Sequence, residues 1–281
     1  GATVTENVRT FGHRLFRLEA HLQRLGRSLA AVGFETGLAQ QDFAELCETL
    51  VTHNSQSLHE DDDLGLVVFV TAGSYPTYAG EVIGTCEEQP TVCIHTFALP
   101  FEKWDSGQES GVHLVTPSTC HVPPQCHDPA IKSRSRMHYY LADRQARLVD
   151  PGASALLLDL DGNVTETSTA NFLIVADGQV ISPTERNILP GISRGVVAEL
   201  CQELGISFIE RDFQLHDVVQ AEEAFVTSTP YCLTSVTRIN GDSIGDGEPG
   251  PVADRLLTAW DKLLGVDIRQ QVRTGASRRR A

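Results

Sequence analysis

Lysine is scarce in this chain. Lys103, Lys132 and Lys262 are the only three among 281 residues, against nineteen arginines, so a covalent or proton-moving role for a lysine amine has few candidates. Basic charge as a whole is in short supply: the formal net charge is −15. That balance argues against nucleic acid or an anionic membrane as the main partner, since either asks for a basic face. No apolar run approaches the ~18 residues that a membrane span needs. No charged-then-apolar leader is visible, and no internal repeat or low-complexity segment appears. The cysteines are seven, an odd number, widely scattered in a chain large enough to need no staples. A reduced, cytoplasmic compartment is therefore expected. The sequence opens at Gly1 rather than Met, which suggests a processed or truncated start.

What is present is ordinary globular material, 41% apolar and 21% charged, enough for one large or two modest domains. Apolar residues Leu18, Leu22, Leu25, Leu29 and Val32 follow a helical seam between Phe16 and Gly33, and His21, Arg24 and Ser28 share one flank of that helix. A second helix is predicted from Asp42 to Leu58 with Phe43, Leu46, Cys47, Leu50 and Val51 inward. The acidic run from His59 then breaks to strands at Leu64–Thr71 and Thr91–Leu99. The Gly-, Ser- and charge-rich stretch from Trp104 to Gly111 reads as a domain boundary, giving a small α/β domain over 1–107 and a larger one over 108–281. Beyond Lys132, strands at 155–160, 171–175, 180–182, 208–209, 224–227 and 233–238 interleave with helices at 192–204 and 251–264. The fold class is α+β, with a closed or barrel-like second domain. The arginine-rich end, Arg269 to Arg280, reads as a frayed, solvated tail.

Lys103 stands in a polar connection and Lys262 on an amphipathic helix, where solvated ammonium groups are expected. Lys132 follows a proline-rich loop and precedes a helical stretch, a junction where an amine can be desolvated and used as a Schiff base. A solvated lysine in a basic segment with Arg134 and Arg136 is the alternative. Cys120-His121 and Cys126-His127 form a Cys-His-x4-Cys-His cluster, but its spacing differs from zinc knuckles and two prolines stiffen it, so no metal is expected. Gly191-Ile192-Ser193-Arg194 presents amides and a hydroxyl at a helix start, where an anion binds or a serine merely caps. Thr227-Ser228-Thr229 offers further hydroxyls, Arg24 a charge-assisted donor, and Glu166 a carboxylate after an Asp-Gly turn. A phosphate, a lysine and a carboxylate converging on one molecule suit pyridoxal phosphate.

The ordered set His21-Leu-Gln-Arg24-Leu, Ile131-Lys132-Ser, Asp161-Gly-Asn-Val-Thr-Glu166 with Asn171, Leu189-Pro-Gly-Ile-Ser193-Arg194 and Ala221 to Thr229 resembles the class IV (fold-type IV) pyridoxal-phosphate aminotransferases. That family includes branched-chain and D-amino-acid aminotransferases and aminodeoxychorismate lyase. The resemblance implies a small α/β domain beside a larger pseudo-barrel domain, a homodimer or larger particle, and small-molecule partners: an amine or amino acid and a 2-oxo acid. It makes Lys132 the Schiff-base lysine and proton carrier, Glu166 the partner of the pyridine nitrogen, and Arg24, Ile192, Ser193, Thr229 and Ser228 the phosphate ligands. Transamination is the implied reaction. An elimination of the aminodeoxychorismate lyase type is the alternative within the family, and a catalytically silent cofactor-binding or interaction protein the alternative outside it. The chain also departs from the family pattern. The strand that precedes Gly-x-x-x-Thr/Phe-Glu in relatives is missing before Gly1, so a strand or two of the small domain is expected to be absent. The tyrosine five residues after the lysine is replaced by Met137, and Pro230 removes a backbone donor. No arginine-bearing carboxylate trap is found in Thr71-Ala-Gly-Ser-Tyr-Pro.

Overall fold

A computed structural model describes residues 1–59, 62–73 and 89–280. It divides into two compact units, Gly1–Leu99 with Ile131–Arg136, and Pro100–Ala130 with Met137–Ala281. The division falls at Leu99/Pro100 rather than 107/108, because most of the stretch from Trp104 to Gly111 is helix rather than connection. The Lys132 segment belongs to the first unit. The stretch from Thr71, in which no carboxylate trap is found, runs past residue 73 and in that part lies outside the described residues, as does part of the acidic run after His59.

The first unit holds β1 (Thr3–Phe11), β2 (Arg14–Leu15), α1 (Leu18–Val32), α2 (Gln40–Ser55), β3 (Leu64–Thr71) and β4 (Thr91–Ala98). Their sheet has the order β2-β1-β3-β4 and is antiparallel throughout. The N-terminal stretch, given no strand from sequence, pairs along β3 from Thr3↔Thr71 to Arg9↔Gly65. Its Val, Thr and Arg residues lack a clean alternation of apolar and polar, so the period-2 signal is weak. Val4 and Val8 pack with Leu22, Leu25 and Leu29 of α1, Phe43, Cys47 and Val51 of α2, and Leu66, Val68 and Val70 of β3. Val32 and Leu46, expected inward, are substantially exposed.

The second unit contains α3 (Phe101–Ser110), β5 (Val112–Val115), α4 (Met137–Val149), β6 (Ser154–Leu158), β7 (Val164–Thr167), β8 (Asn171–Ala176), β9 (Gln179–Ser182), α5 (Ile192–Leu204), β10 (Phe208–Glu210), α6 (Leu215–Val219), β11 (Glu223–Ser228), β12 (Cys232–Ile239), β13 (Asp242–Ser243), α7 (Pro251–Leu264) and α8 (Ile268–Arg280). Strand order is β10-β9-β8-β11-β12-β5-β6-β7, and β7 pairs again with β8. Strands β8, β11, β12, β5, β6 and β7 therefore close into a barrel, with β9 and β10 extending from β8. The joining pair is Glu166↔Asn171. The core carries Leu114, Leu156, Val164, Phe172, Ile174, Val226, Val236 and Ile239.

The arginine-rich C-terminus is not frayed. It forms α8, which buries Ile268, Val272, Gly275 and Ala276 and packs on α3. A Cβ at Gly275 would run into the Phe101 ring, so glycine permits the close approach, and Arg279 covers the same ring. No helix among the described residues is long and apolar enough to cross a membrane.

Candidate active site

In the first unit β1 carries Glu6 between Val4 and Val8, and the seam of α1 presses His21, Arg24 and Ser28 toward it. Glu6 is fully buried. It accepts Nε and Nη2 of Arg24 at 2.7 and 2.8 Å and meets His21 Nδ1 at 2.8 Å. Burial alone would push this carboxyl up, but the Arg24 charge and the hydrogen bonds from Arg24 and His21 outweigh it and hold Glu6 down to about 2. Burial lowers His21, and the charges of Arg24 and Lys132 lower it further against the opposing pull of Glu6.

Lys132 is fastened to the same elements through its backbone. Its carbonyl accepts Thr5 N–H at 2.8 Å, its amide donates to Ser28 Oγ at 3.3 Å, and Ser133 bridges to Val4. The residue is half-buried, against the alternative of a fully solvated lysine. Lys132 and Arg24 thus share one unit. Sequence reasoning missed Glu6, which stands in a stretch given no element from sequence.

In the second unit the β7–β8 connection organises the remaining candidates. Glu166 Oε1 accepts Tyr139 Oη–H at 2.7 Å, and Oε2 accepts Asn171 Nδ2–H at 2.9 Å and Leu189 N–H at 3.1 Å. Asn171 also donates to Leu189 O at 2.9 Å, which fixes the approach to α5. A Cβ at Gly191 would overlap Asn171 Oδ1, so only glycine fits there. Gly191 is the extended N-cap of α5, and no side chain caps it. The N–H groups at Ile192 and Ser193 belong to the first turn, where a helix has no acceptors of its own and its dipole favours an anion. Ser193 is buried.

Ser228, at the end of β11, donates to Thr169 O in the β7–β8 turn at 2.8 Å, which ties the 228–231 loop to the Glu166 hairpin. That bond uses the single hydroxyl proton of Ser228. Tyr231 is pushed up to about 12 by burial, against its side-chain hydrogen bonds with Thr169 and Ser228. Thr227 Oγ1 is turned inward to Cys232 O. Glu166, Ile192, Ser193, Ser228 and Thr229 are therefore assembled in the second unit. Met137 is exposed, whereas Tyr139, two residues on, reaches Glu166. His121 is hydrogen-bonded to Tyr139, and Cys120 and Cys126 are exposed thiols.

The pattern described as amino-transferase class IV matches residues 3–239. The chain belongs to that family. It is 32% identical over 268 residues to branched-chain-amino-acid aminotransferase-like protein 1 of Arabidopsis thaliana, covering 94% of this chain and 46% of that protein. The chain spans about half the length of the Arabidopsis relatives. It is 30% identical to D-alanine aminotransferase of Bacillus licheniformis, covering 94% of this chain and 88% of the relative. The fold is that of the Escherichia coli branched-chain amino acid aminotransferase, with a TM-score of 0.83 at 24% identity over 94% of this chain and 86% of that one. The branched-chain amino acid aminotransferase of T.th., solved with pyridoxamine 5'-phosphate, gives a TM-score of 0.81 at 23% identity, covering 94% and 85%.

The donor set suits a pyridoxal phosphate group. An ionised carboxylate offers about four lone-pair positions. Three of those on Glu166 are taken by Tyr139, Asn171 and the Leu189 amide, which leaves one acceptor position for a ring N–H. The helix start without a side-chain cap supplies amides for a phosphate.

Proposed function

We propose that the protein is a pyridoxal-phosphate-dependent aminotransferase that moves an amino group between an amino acid or primary amine and a 2-oxo acid. The observation that carries this reading is Glu166, a buried carboxylate with one acceptor position left, hydrogen-bonded to the Leu189 amide two residues before a helix start that no side chain caps. Family membership supports it.

When bound, the cofactor supplies an electron sink for the electron pair left at the substrate α-carbon. Lys132 Nζ would hold the cofactor aldehyde and, once freed by the incoming amine, would carry the α-carbon proton. Glu166 accepts the ring N–H. The Ile192 and Ser193 amides and the Ser193 and Thr229 hydroxyls would bind the phosphate, with Ser228 holding the loop to Thr169, and the family resemblance assigns Arg24 a phosphate contact as well. Arg24 has a second partner in Glu6, so its two roles must be separated by experiment. We take the particle to be a homodimer, as the family resemblance implies, and its location to be cytoplasmic, in keeping with free thiols at six described cysteines. Light scattering checks the first and fractionation the second.

The deciding experiment is a half-reaction without acceptor. The full chain, loaded with pyridoxal phosphate and given an amine donor, is expected to convert its cofactor stoichiometrically to the pyridoxamine form with release of one carbonyl product. Pyruvate from aminodeoxychorismate, with the original spectrum restored each turnover, would establish a lyase instead. No response to any amine would leave a silent binder.

A further inference from the structure

Glu166 does not stand alone on the side facing α4. Tyr139 Oη donates to Glu166 Oε1 at 2.7 Å, His121 Nε2 lies 2.9 Å from Tyr139 Oη, and His121 Nδ1 lies 3.0 Å from Val122 O. His121 Nε2 is 3.7 Å from Glu166 Oε1, so the phenol is interposed between them. Each of the three shorter contacts needs a proton. Val122 O can only accept, so Nδ1 must carry one. The Tyr139–Glu166 contact uses the phenol proton, so the His121–Tyr139 contact needs a third. A neutral imidazole and a phenol together bring two. The cluster therefore holds one proton more than neutral histidine, neutral tyrosine and a carboxylate supply. With Glu166 a carboxylate able to accept a ring N–H, that proton lies on His121.

We propose that His121 and Tyr139 are positioning residues that set how strongly Glu166 draws the proton of the cofactor's ring nitrogen, with His121 as an imidazolium. This rests on Glu166 being the ring-nitrogen partner. A carboxylate that accepts a phenol backed by a cation presents less negative charge at its remaining lone pair, and a weaker negative charge favours the protonated ring nitrogen less. His138, 4.0 Å from the Tyr139 ring and 5.5 Å edge-on to His121, is the other titratable ring in contact with the pair. It closes the pair in from the same helix as Tyr139.

The test uses the full chain in two spectra at neutral pH. In nitrogen-15 spectra of the cofactor-free protein, His121 is expected to show two protonated ring nitrogens, assigned by their loss in His121→Gln, and to revert to one in Tyr139→Phe. With ring-labelled pyridoxal phosphate bound, the ring-nitrogen resonance is expected to move toward the pyridinium value in both variants. A neutral His121 in the unaltered chain, or a ring-nitrogen resonance unmoved in both variants, overturns the inference alone. A chain that takes up no pyridoxal phosphate overturns the functional reading and this inference with it. The spectra of the unaltered chain need no variant beyond the assignment, so a poorly folded Tyr139→Phe does not remove the test.

Discussion

Arg24 carries the sharpest conflict between a sequence motif and its surroundings. The motif makes it a phosphate ligand, while the structure gives it a buried carboxylate at 2.7 and 2.8 Å. Arg24→Ala would strand Glu6 without its cation, and breaking a buried pair from one side costs about 3–5 kcal/mol. Denaturant unfolding of the cofactor-free variant is expected to show a loss of that size. A phosphate role adds a second effect, cofactor affinity weaker by about 1.5–3 kcal/mol, read by titration with pyridoxal phosphate. Unchanged stability with weakened affinity would make Glu6 a bystander. Lys132→Ala is a different matter, because the bonds that fasten this residue to Thr5 and Ser28 are backbone bonds. That variant is expected to keep the wild-type melting transition and to lose both turnover and the lysine-bound cofactor, checked by borohydride reduction and mass spectrometry of the labelled peptide. Label at Lys103 or Lys262 would refute the assignment.

Among the elements, the start of α5 depends on a contact that its own sequence does not display. Gly191 is close to Asn171 Oδ1, and Asn171 is also the partner that closes the barrel against Glu166. Gly191→Ala forces one of these apart, and overpacking of this kind costs about 1–3 kcal/mol. The expected result is a lower melting temperature together with cofactor affinity reduced beyond what destabilisation explains, because the same shift moves the Leu189 amide off Glu166. A variant with unchanged affinity would show that the helix start and the carboxylate are independent. The helix itself was legible, from its apolar spacing and from Gly205, whose left-handed conformation at φ 68° ends it. Its functional neighbour was not, since Asn171 lies several turns of chain before Gly191 and no local pattern encodes their contact. The terminal helix α8 was read as a tail for a related reason: its buried residues are few, and they pack on the helix that begins at Phe101, far away in sequence.

For the molecule as a whole, acid is the expected weakness. Glu6 ordinarily titrates at 4.5 and is held at about 2 in the folded chain, so its stabilisation is present above pH 4.5 and lost as pH falls toward 2. His21 is lowered from 6.5 when folded, so the unfolded chain binds its proton more readily, and stability begins to fall as pH drops through that region. Both act in the same direction. Thermal midpoints measured from pH 7 downward are expected to decline, first gently and then steeply below pH 4.5, and the steep part is expected to shrink in Glu6→Gln. A midpoint independent of pH over that range would contradict the buried Glu6–Arg24–His21 cluster.

The apolar periods of α1, β3, β8 and α5 were set by local spacing, because burial of one face needs only the residues of the element itself. The order of short motifs carried the family, and the scarcity of lysine left three candidate amines, of which the resemblance selects Lys132. Tertiary structure alone decided that β1 runs along β3, that β7 meets β8 to close the barrel, and that Glu6 and Tyr139 hold the two charged candidates Arg24 and Glu166. The physical reason is the same in each case. A hydrogen bond or ion pair between residues distant in the chain leaves no periodic trace in either segment, so it becomes visible only when folding brings donor and acceptor within about 3 Å.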